Sequence, residues 1–428
     1  MTLSVRVLYL VRREGFSSVF ASQIARRMGA IAESGFDVAI AVLATPGQWL
    51  KTDLRAKWAA VVAAVPESIN GKVSALPALP SRFNWPLLES AVFRWWLRGK
   101  TRRGTTAAIV QCRNTAATQI ALRARQAGSP IRVIFDCRGV VDHEFLYDHG
   151  YHFDDAPPAL RGQALQLSEQ QRLCAQNADA VFCVSDAMVK YLVADAGIAR
   201  DKCTVIPCCV ETDTLGQDSS SRHAIRARFG LEDKLVVCYC GSLVGYQRIE
   251  HSLTLFRQIA AMDPRAHFYA VTTSAQKMRD SAMAAGLRED QLTVVSVAPD
   301  QVPAMLSAAD VGLLLRERSP VNEVASPVKF AEYLASGTPV IVSAGVGDFS
   351  ALVRAHQVGL TLDDYADAEL TQNQLEPFLK QLAEQTENMR NRCTQVAAEQ
   401  LTFAPYLSQV SRVYERLGQA AQLESEPC

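Results

Sequence analysis

Lys329 and Glu332 lie three residues apart, just after the dipeptide Ser326-Pro327, in the stretch RERSPVNEVASPVKFAEYLASGTPVIVS that covers residues 316–343. Serine followed by proline reads as a helix opening. The serine takes the N-cap role, and the proline takes the first helical position, where its missing N–H costs nothing. Lys329 then falls in the first turn, where a cation opposes a helix macrodipole that favours anions by about 0.3–1 kcal/mol. A phosphate bound at that helix start, with Lys329 as its counter-charge, removes the conflict. Glu332 lies one turn deeper on the same face, where a carboxylate can accept hydrogen bonds from vicinal hydroxyls such as those of a ribose. The plain alternative is an exposed i,i+3 ion pair worth only about 0.2–0.5 kcal/mol. The apolar run 310–315, the basic loop with Arg316 and Arg318 behind it and the capped start together favour a nucleotide site.

Such side chains need elements to hold them. Short apolar runs alternate with helical patterns along nearly the whole chain, as in βαβ units with parallel sheets. In the first half the strand-like runs are near residues 5–10, 38–43, 108–111, 133–135 and 180–184, with a last one at 204–206 stopped by Pro207. The first leads through a polar loop with Gly15 into a helix from Ser17 or Ser18 that puts Ala21, Ile24, Ala25, Met28 and Ile31 on one face. Polar pairs follow several strands, among them Arg113 and Asn114, Asp136 and Arg138, and Ser185 and Asp186. In open parallel sheets that carboxyl edge is where ligands bind.

Residues 211–234, polar and carrying three consecutive serines, read as a linker. A second alternating series follows, with strands near 235–240, 267–271, 292–296, 311–315 and 339–342. Its helices fall near 249–261, 276–285, 302–309, 327–336 and 374–400, with an amphipathic one at 406–417. The expected fold class is α/β, two doubly wound Rossmann-like domains facing across a cleft. The first covers residues 1–210, the linker 211–234, the nucleotide-binding domain 235–405, and a helix with its tail 406–428.

Composition narrows the function. The 428 residues exceed the ~250–300 that one hydrophobic core serves, so two domains are the expectation. The 44 basic and 44 acidic side chains cancel, which argues against a general nucleic-acid binder. The cancellation is uneven: residues 1–103 hold 15 Lys/Arg against 6 Asp/Glu and all five tryptophans. The start lacks an apolar stretch with a small-residue cleavage site, and no run approaches ~18 apolar residues, so neither signal peptide nor membrane span is expected. The 11 cysteines contain no C-x-x-C and fit a reduced cytosol. His143, His149 and His152 lie among five acids, at spacings that match no recognised ligand set, so no metal is expected. Gly345-x-Gly347 lacks the third glycine and the helix context of a dinucleotide fingerprint, so neither NAD nor another cofactor is expected.

The segment SPVKFAEYLASGTPVI resembles the nucleotide-binding signature of retaining glycosyltransferases of family 4. CVSDAMVKYLV, DKCTVIPCCVETDTL, YCGSLVGYQRIEHSL and LSAADVGLLLRERSPVNEVASP agree with that family in order and spacing, so the resemblance covers most of residues 130–350. It implies the GT-B fold, with a C-terminal helix crossing back to the first domain and a nucleotide-diphosphate sugar as donor. Glu332 matches the second glutamate of the family's Glu-x7-Glu motif, which binds the donor ribose. The first would stand at 324, where this chain has Val324, and Glu323 is one residue out of register. Relatives with the Ser-Pro-x-Lys variant also lack it. Where the family places an Arg and a Lys on the diphosphate, the chain has Ser242 and Gln247. The resemblance therefore leaves Arg248 and Lys329 to neutralise the diphosphate, with Arg316 behind them and Ser326 at the helix start.

A histidine common in the family is replaced by Asp136, in Asp136-Cys137-Arg138-Gly139, with Glu144 beyond. Transfer with retention at a GT-B site needs no enzyme nucleophile, since the leaving diphosphate can take the acceptor proton. Asp136, Arg138 and Glu144 are thus implied contacts to sugar or acceptor, not an acid/base pair of the glycosidase kind. The chain has no D-x-D, which fits donor binding without a metal.

Residues 81–104, SRFNWPLLESAVFRWWLRGKTRRG, carry six Lys/Arg against Glu89, with Leu88, Ala91, Val92, Trp95 and Trp96 on one helical side. Aromatics flanked by cations suit an interfacial helix on an anionic leaflet, each cation adding about 1 kcal/mol near the surface. A core helix with a solvated basic end is the alternative. The sequence therefore predicts a cytoplasmic glycosyltransferase, at the inner face of the membrane where 81–103 is an anchor. Its partners are a nucleotide-sugar donor and a cell-envelope glycan or lipid-linked acceptor, with no nucleic acid. The alternatives are a GT-B nucleotide-sugar epimerase and a catalytically silent paralogue that binds nucleotide sugar or membrane.

Overall fold

A computed structural model describes the chain apart from residues 1–4, 13–19, 46, 48–49, 64, 80–85, 101–107, 212–214, 216–218, 244–246, 248 and 424–428. Two compact units form, one from residues 1–146, 153–206 and 403–428 and the other from 147–152 and 207–402.

The first unit is built on a seven-stranded parallel sheet: β1 (Arg6–Arg12), β2 (Asp37–Ala44), β3 (Val73–Pro77), β4 (Ala108–Arg113), β5 (Ile131–Cys137), β6 (Ala180–Cys183) and β7 (Cys203–Val205). The spatial order is β3-β2-β1-β4-β5-β6-β7, so the winding reverses between β1 and β4. β1, β2 and β4 are buried along nearly their whole length, which is why their sequences are continuous apolar runs and not alternating ones. The helices that follow are α1 (Arg26–Glu33), α2 (Thr52–Ala63), α3 (Pro86–Lys100), α4 (Asn114–Gln126), α5 (Val141–Asp148), α6 (Pro158–Asn177) and α7 (Asp186–Ala196). A π-turn at Ala21–Ala25 precedes α1, and Ile24, Ala25, Met28 and Ile31 are buried as the periodicity predicts.

The second unit holds six parallel strands: β8 (Leu235–Cys240), β9 (Ala266–Val271), β10 (Leu292–Val295), β11 (Val311–Leu314), β12 (Val340–Ser343) and β13 (Gly359–Leu362). Their order is β10-β9-β8-β11-β12-β13, so this sheet too reverses beside its first strand, between β8 and β11. Its helices are α8 (Ser219–Phe229), α9 (Ile249–Met262), α10 (Ala275–Ala284), α11 (Val302–Ser307), α12 (Pro320–Glu323), α13 (Val328–Ala335), α14 (Phe349–His356), α15 (Ala368–Glu384) and α16 (Thr386–Gln400). One core lies on each face of the sheet, and in one of them Phe330 stacks on Phe349 with ring centroids 4.1 Å apart.

The last helix, α17 (Ala404–Leu423), belongs to the first unit. Val410, Val413, Tyr414 and Leu417 form its buried stripe at i, i+3, i+4 and i+7, against the sheet core around Ile109, Ile134 and Phe182. Within the stretch read as a linker, residues 219–229 form α8, whose Arg222 and Arg226 both pair with Asp310 at the foot of β11. The single helix expected at 374–400 is two helices that break at Gln385. Among the described residues no helix is long and apolar enough to cross a membrane.

Candidate functional site

In the second unit the chain leaves β11 at Leu314, runs through Arg316 and the short α12, and enters α13 at Val328. The Ser-Pro opening differs from its expectation by one residue. Pro327, not Ser326, is the N-cap, and no side chain caps the helix. The Ser326 hydroxyl is taken elsewhere, accepting from the Cys208 backbone N–H at 2.9 Å. The first-turn N–H groups of α13 are therefore left without a side-chain cap, which keeps that end suited to an anion.

Lys329 Nζ lies 2.7 Å from Glu332 Oε2, with both side chains about three-quarters buried. Burial opposes the ammonium's charge, but Cys240 and Glu332 outweigh it, and Lys329 is held above the ordinary lysine value. Burial pushes the Cys240 thiol up to about 11. A cation and a carboxylate are thus positioned together at the open start of an eight-residue helix.

Arg316 does not stand free in the loop. It is 9 % exposed, its guanidinium donates to Asn322 Oδ1 at 3.1 Å, and its backbone N–H donates to Ser343 Oγ at 2.9 Å. Its role is to brace the loop. Asn322, fully buried, continues the brace by donating to the Glu317 carbonyl at 3.0 Å and to Ser319 Oγ at 3.2 Å. Its own carbonyl accepts from Gly347 N–H at 3.0 Å. Gly347 has φ +47°, and a Cβ there would stand 1.9 Å from the Ala325 carbonyl oxygen. The Gly-x-Gly that fits no dinucleotide fingerprint thus lets a second loop close onto the one that leads into α13. Gly347→Ala is expected to displace residues 322–326 and raise the KM for donor at least about tenfold, a misplacement cost read in steady-state kinetics.

Val324 is 3 % exposed, and Glu323 pairs outward with Arg318 at 3.1 Å. Neither gives the carboxylate that the first glutamate of the motif would supply. After β8, Gln247 turns back so that its Oε1 accepts from Tyr239 Oη at 2.6 Å. Arg248 lies outside the described residues, as does Gly15.

The first unit gathers a polar group on its central strands β1, β4 and β5. Asp136, on β5 and 4 % exposed, accepts from Tyr9 Oη at 2.6 Å and from Gln111 Nε2 at 3.2 Å, with Arg138 Nε at 3.6 Å. The Tyr414 hydroxyl of α17 donates to Gln111 Oε1. Burial opposes the carboxylate's charge, yet Arg138, Arg113 and the Tyr9 hydroxyl hold it below the usual carboxylate value. Burial and the Asp136 charge push the Tyr9 hydroxyl well up. Enclosed in this way, Asp136 stands behind Arg138, with its carboxylate oxygens facing Tyr9, Gln111 and Arg138.

Glu144 is exposed on α5, and its carboxylate lies over Gly139, where a Cβ would stand 1.8 Å from Oε1. Gln171 of α6, 3 % exposed, fixes the same turn by donating to the Gly139 carbonyl at 2.7 Å and accepting from Val141 N–H at 3.1 Å. Gln171 and Asn322 escaped sequence reasoning because a buried amide has no spacing signal. His143 packs on Phe153, and His152 stands 3.7 Å from Glu317. Among the described residues no three His, Cys, Asp or Glu gather as a metal site.

Helix α3 divides the basic aromatic segment differently from its expectation. Trp96 is 7 % exposed and stacks on buried Phe93, with Leu97 and the Arg12–Glu89 ion pair also inside, whereas Leu87, Leu88 and Trp95 are exposed, Trp95 at 72 %. Trp96 therefore belongs to the core side, and the outward apolar face is Leu87, Leu88, Ala91 and Trp95. Arg82, Arg102 and Arg103 lie outside the described residues.

The chain's comparisons agree with this picture. Residues 221–400 match the family described as Glycosyl transferases group 1, and residues 19–209 match the Glycosyl transferase 4-like domain. No curated protein matches in sequence. Among solved structures, HepE of Anabaena in complex with UDP is similar at 13 % identity and a TM-score of 0.67, over 96 % of this chain and 100 % of that one. A glycosyltransferase from Rickettsia africae reaches 0.67 at 11 % identity, over 97 % and 98 %. WaaG, a glycosyltransferase involved in lipopolysaccharide biosynthesis, reaches 0.61 at 14 %, over 98 % and 100 %. The two matches lie one in each unit, so the chain carries glycosyltransferase domains of group 1 and 4-like type, and its two parallel-sheet units have the GT-B fold.

Proposed function

We propose that the protein transfers a sugar from a nucleotide-diphosphate sugar to a cell-envelope glycan or lipid-linked acceptor, with retained anomeric configuration and without a metal ion. The observation that carries this reading is the Lys329–Glu332 pair at the uncapped start of α13. HepE, which binds UDP in its crystal, supports a uridine diphosphate donor, and WaaG supports an envelope acceptor.

In this mechanism the acceptor hydroxyl attacks the anomeric carbon on the face from which the diphosphate leaves. The bond from that carbon to the phosphate oxygen breaks, its electron pair departs with the nucleoside diphosphate, and a phosphate oxygen takes the acceptor proton. Lys329 and Arg248 oppose the charge that grows on the leaving group. Glu332 holds the ribose hydroxyls; in the first unit Arg138, set by Asp136, and Glu144 are the groups offered to a sugar or acceptor. Arg316 acts through the loop that it braces.

Thermal shift against a panel of nucleotide sugars tests the donor, because a ligand at a hundred times its Kd stabilises by about 2.7 kcal/mol. Release of nucleoside diphosphate only when acceptor is present supports transfer. Isomerised donor without acceptor indicates the epimerase, and binding without turnover the silent paralogue.

The outward face of α3 supports a place at the cytoplasmic leaflet. Apolar Leu87, Leu88 and Trp95 lie beside exposed Arg98. Leu87→Ala with Trp95→Ala is expected to cut binding to anionic vesicles at least about tenfold while leaving the melting temperature unchanged, since each apolar side chain is worth about 1.5–3 kcal/mol when buried. Vesicle pelleting checks this. Equal pelleting by the variant removes the anchor reading. Trp96 is no use for the test, because its loss damages the core.

A further inference from the structure

We propose that the groove between β7 and α17 in the first unit is a binding site for a dianionic phosphate monoester. None of its residues has a part in the transfer mechanism above. The groove is a solvent-open cavity of about 630 Å³. One wall is the edge strand β7, which ends the sheet among the described residues. The other wall is the outward ridge of α17, where Gln409, Arg412 and Arg416 stand at i, i+3 and i+7, so one helical face presents all three.

The charge is unbalanced. Arg412 and Arg416 are exposed, and among the described residues neither makes a hydrogen bond or an ion pair. Like charges one turn apart disfavour a helix, and the buried stripe of α17 does not need them. The third guanidinium, Arg200, is shared: one nitrogen lies 2.6 Å from Asp186 Oδ1, and another reaches the Cys203 carbonyl at 3.5 Å. Asp186 is the one acidic residue of the lining among those described, so three cations face one carboxylate. The surplus of two equals the charge of a phosphate monoester. Planar guanidinium forks suit phosphate oxygens, and Thr204 offers a hydroxyl beside them. Val205 and Val413 give the groove an apolar side for the carbon skeleton of the ester.

Two sources carry that chemistry, a free sugar phosphate and a lipid headgroup, and the test separates them. In the first arm, glucose 6-phosphate and glucose are titrated calorimetrically into the full chain, into Arg412→Gln/Arg416→Gln and into Lys329→Ala. Glucose 6-phosphate is expected to bind wild type and Lys329→Ala alike, at least about tenfold more tightly than it binds the double variant, with glucose silent. Binding should weaken as ionic strength rises. In the second arm, vesicles of phosphatidylcholine with or without phosphatidic acid are pelleted with Trp95→Ala, so that α3 contributes little. Pelleting that needs phosphatidic acid and is lost on adding Arg412→Gln/Arg416→Gln assigns the site to a headgroup. Arg412→Glu alone, with its melting temperature measured, guards against a folding defect. The proposal fails if the arginine variants bind both probes as wild type does, if glucose binds as well as its phosphate, or if neither probe binds. Because Lys329→Ala keeps the groove intact, such a failure leaves the donor reading untouched.

Discussion

Lys329→Ala is expected to lower kcat for sugar transfer by about a hundredfold or more, the usual cost of removing one group that stabilises charge developing in the transition state. The geometry says why the effect falls on kcat. Lys329 projects from the first turn of α13, where the leaving diphosphate would add negative charge as the glycosidic bond breaks. An interaction stronger in the transition state than in the bound substrate acts on the chemical step. Glu332→Ala should behave differently. A carboxylate on ribose hydroxyls binds substrate and transition state alike, so its loss should raise the KM for donor with little change in kcat. The two effects should not add, since the side chains touch at 2.7 Å and each removal leaves the other three-quarters buried without its partner. Steady-state kinetics of both single variants and the double variant give the answer. If the pair were only an ion pair on a helix surface, transfer would survive every substitution and the melting temperature would barely move.

The two sheets were legible in the sequence because buried parallel strands leave unbroken apolar runs, as in VLYLV of β1 or VVCYC of β8. β3 and β13 were not, being short and only partly buried, with VSALP and GLTL hardly distinct from loop. The donor-side pair was legible because a cation in a first turn is locally out of place and asks for an anion. What positions that pair was not. Ser326 looked like a cap because its sequence neighbours are those of a cap, but its hydroxyl goes to Cys208, a residue 118 positions away that no local pattern announces. The spacing puts Trp95 and Trp96 together on one broad helical side. On a helix adjacent residues point about 100° apart, so one entered the core and the other did not. Local chemistry was therefore readable, and the long-range partners that tie it down were not.

Asp136 is the sharpest case of such a tie, and its replacement should show in stability before it shows in chemistry. Asp136→Asn keeps the shape but removes the charge that faces Arg138 and Arg113, and puts an amide where Tyr9 and Gln111 both donate. Breaking a buried ion pair by removing one partner costs about 3–5 kcal/mol. With two units a single two-state value is not defined, so the readout is the melting transition of the first unit. Tyr9→Phe, which removes one hydroxyl donor and no charge, should cost about 1–2 kcal/mol. The pH dependence has a definite sign. The folded carboxyl titrates below the value of the unfolded chain, so on acidification the unfolded chain binds the proton first. The stability that Asp136 contributes is thus fully present above the ordinary carboxylate value of 3.8 and is lost as pH falls through the folded one. Wild type and Asp136→Asn should accordingly differ by a constant amount near neutral pH and converge in acid. A variant that kept its melting temperature at pH 7 yet lost transfer would instead place the carboxylate on a ligand. With 4 % of the residue exposed and its oxygens on Tyr9, Gln111 and Arg138, the expected order is loss of fold first, with activity falling only as Arg138 loses its support.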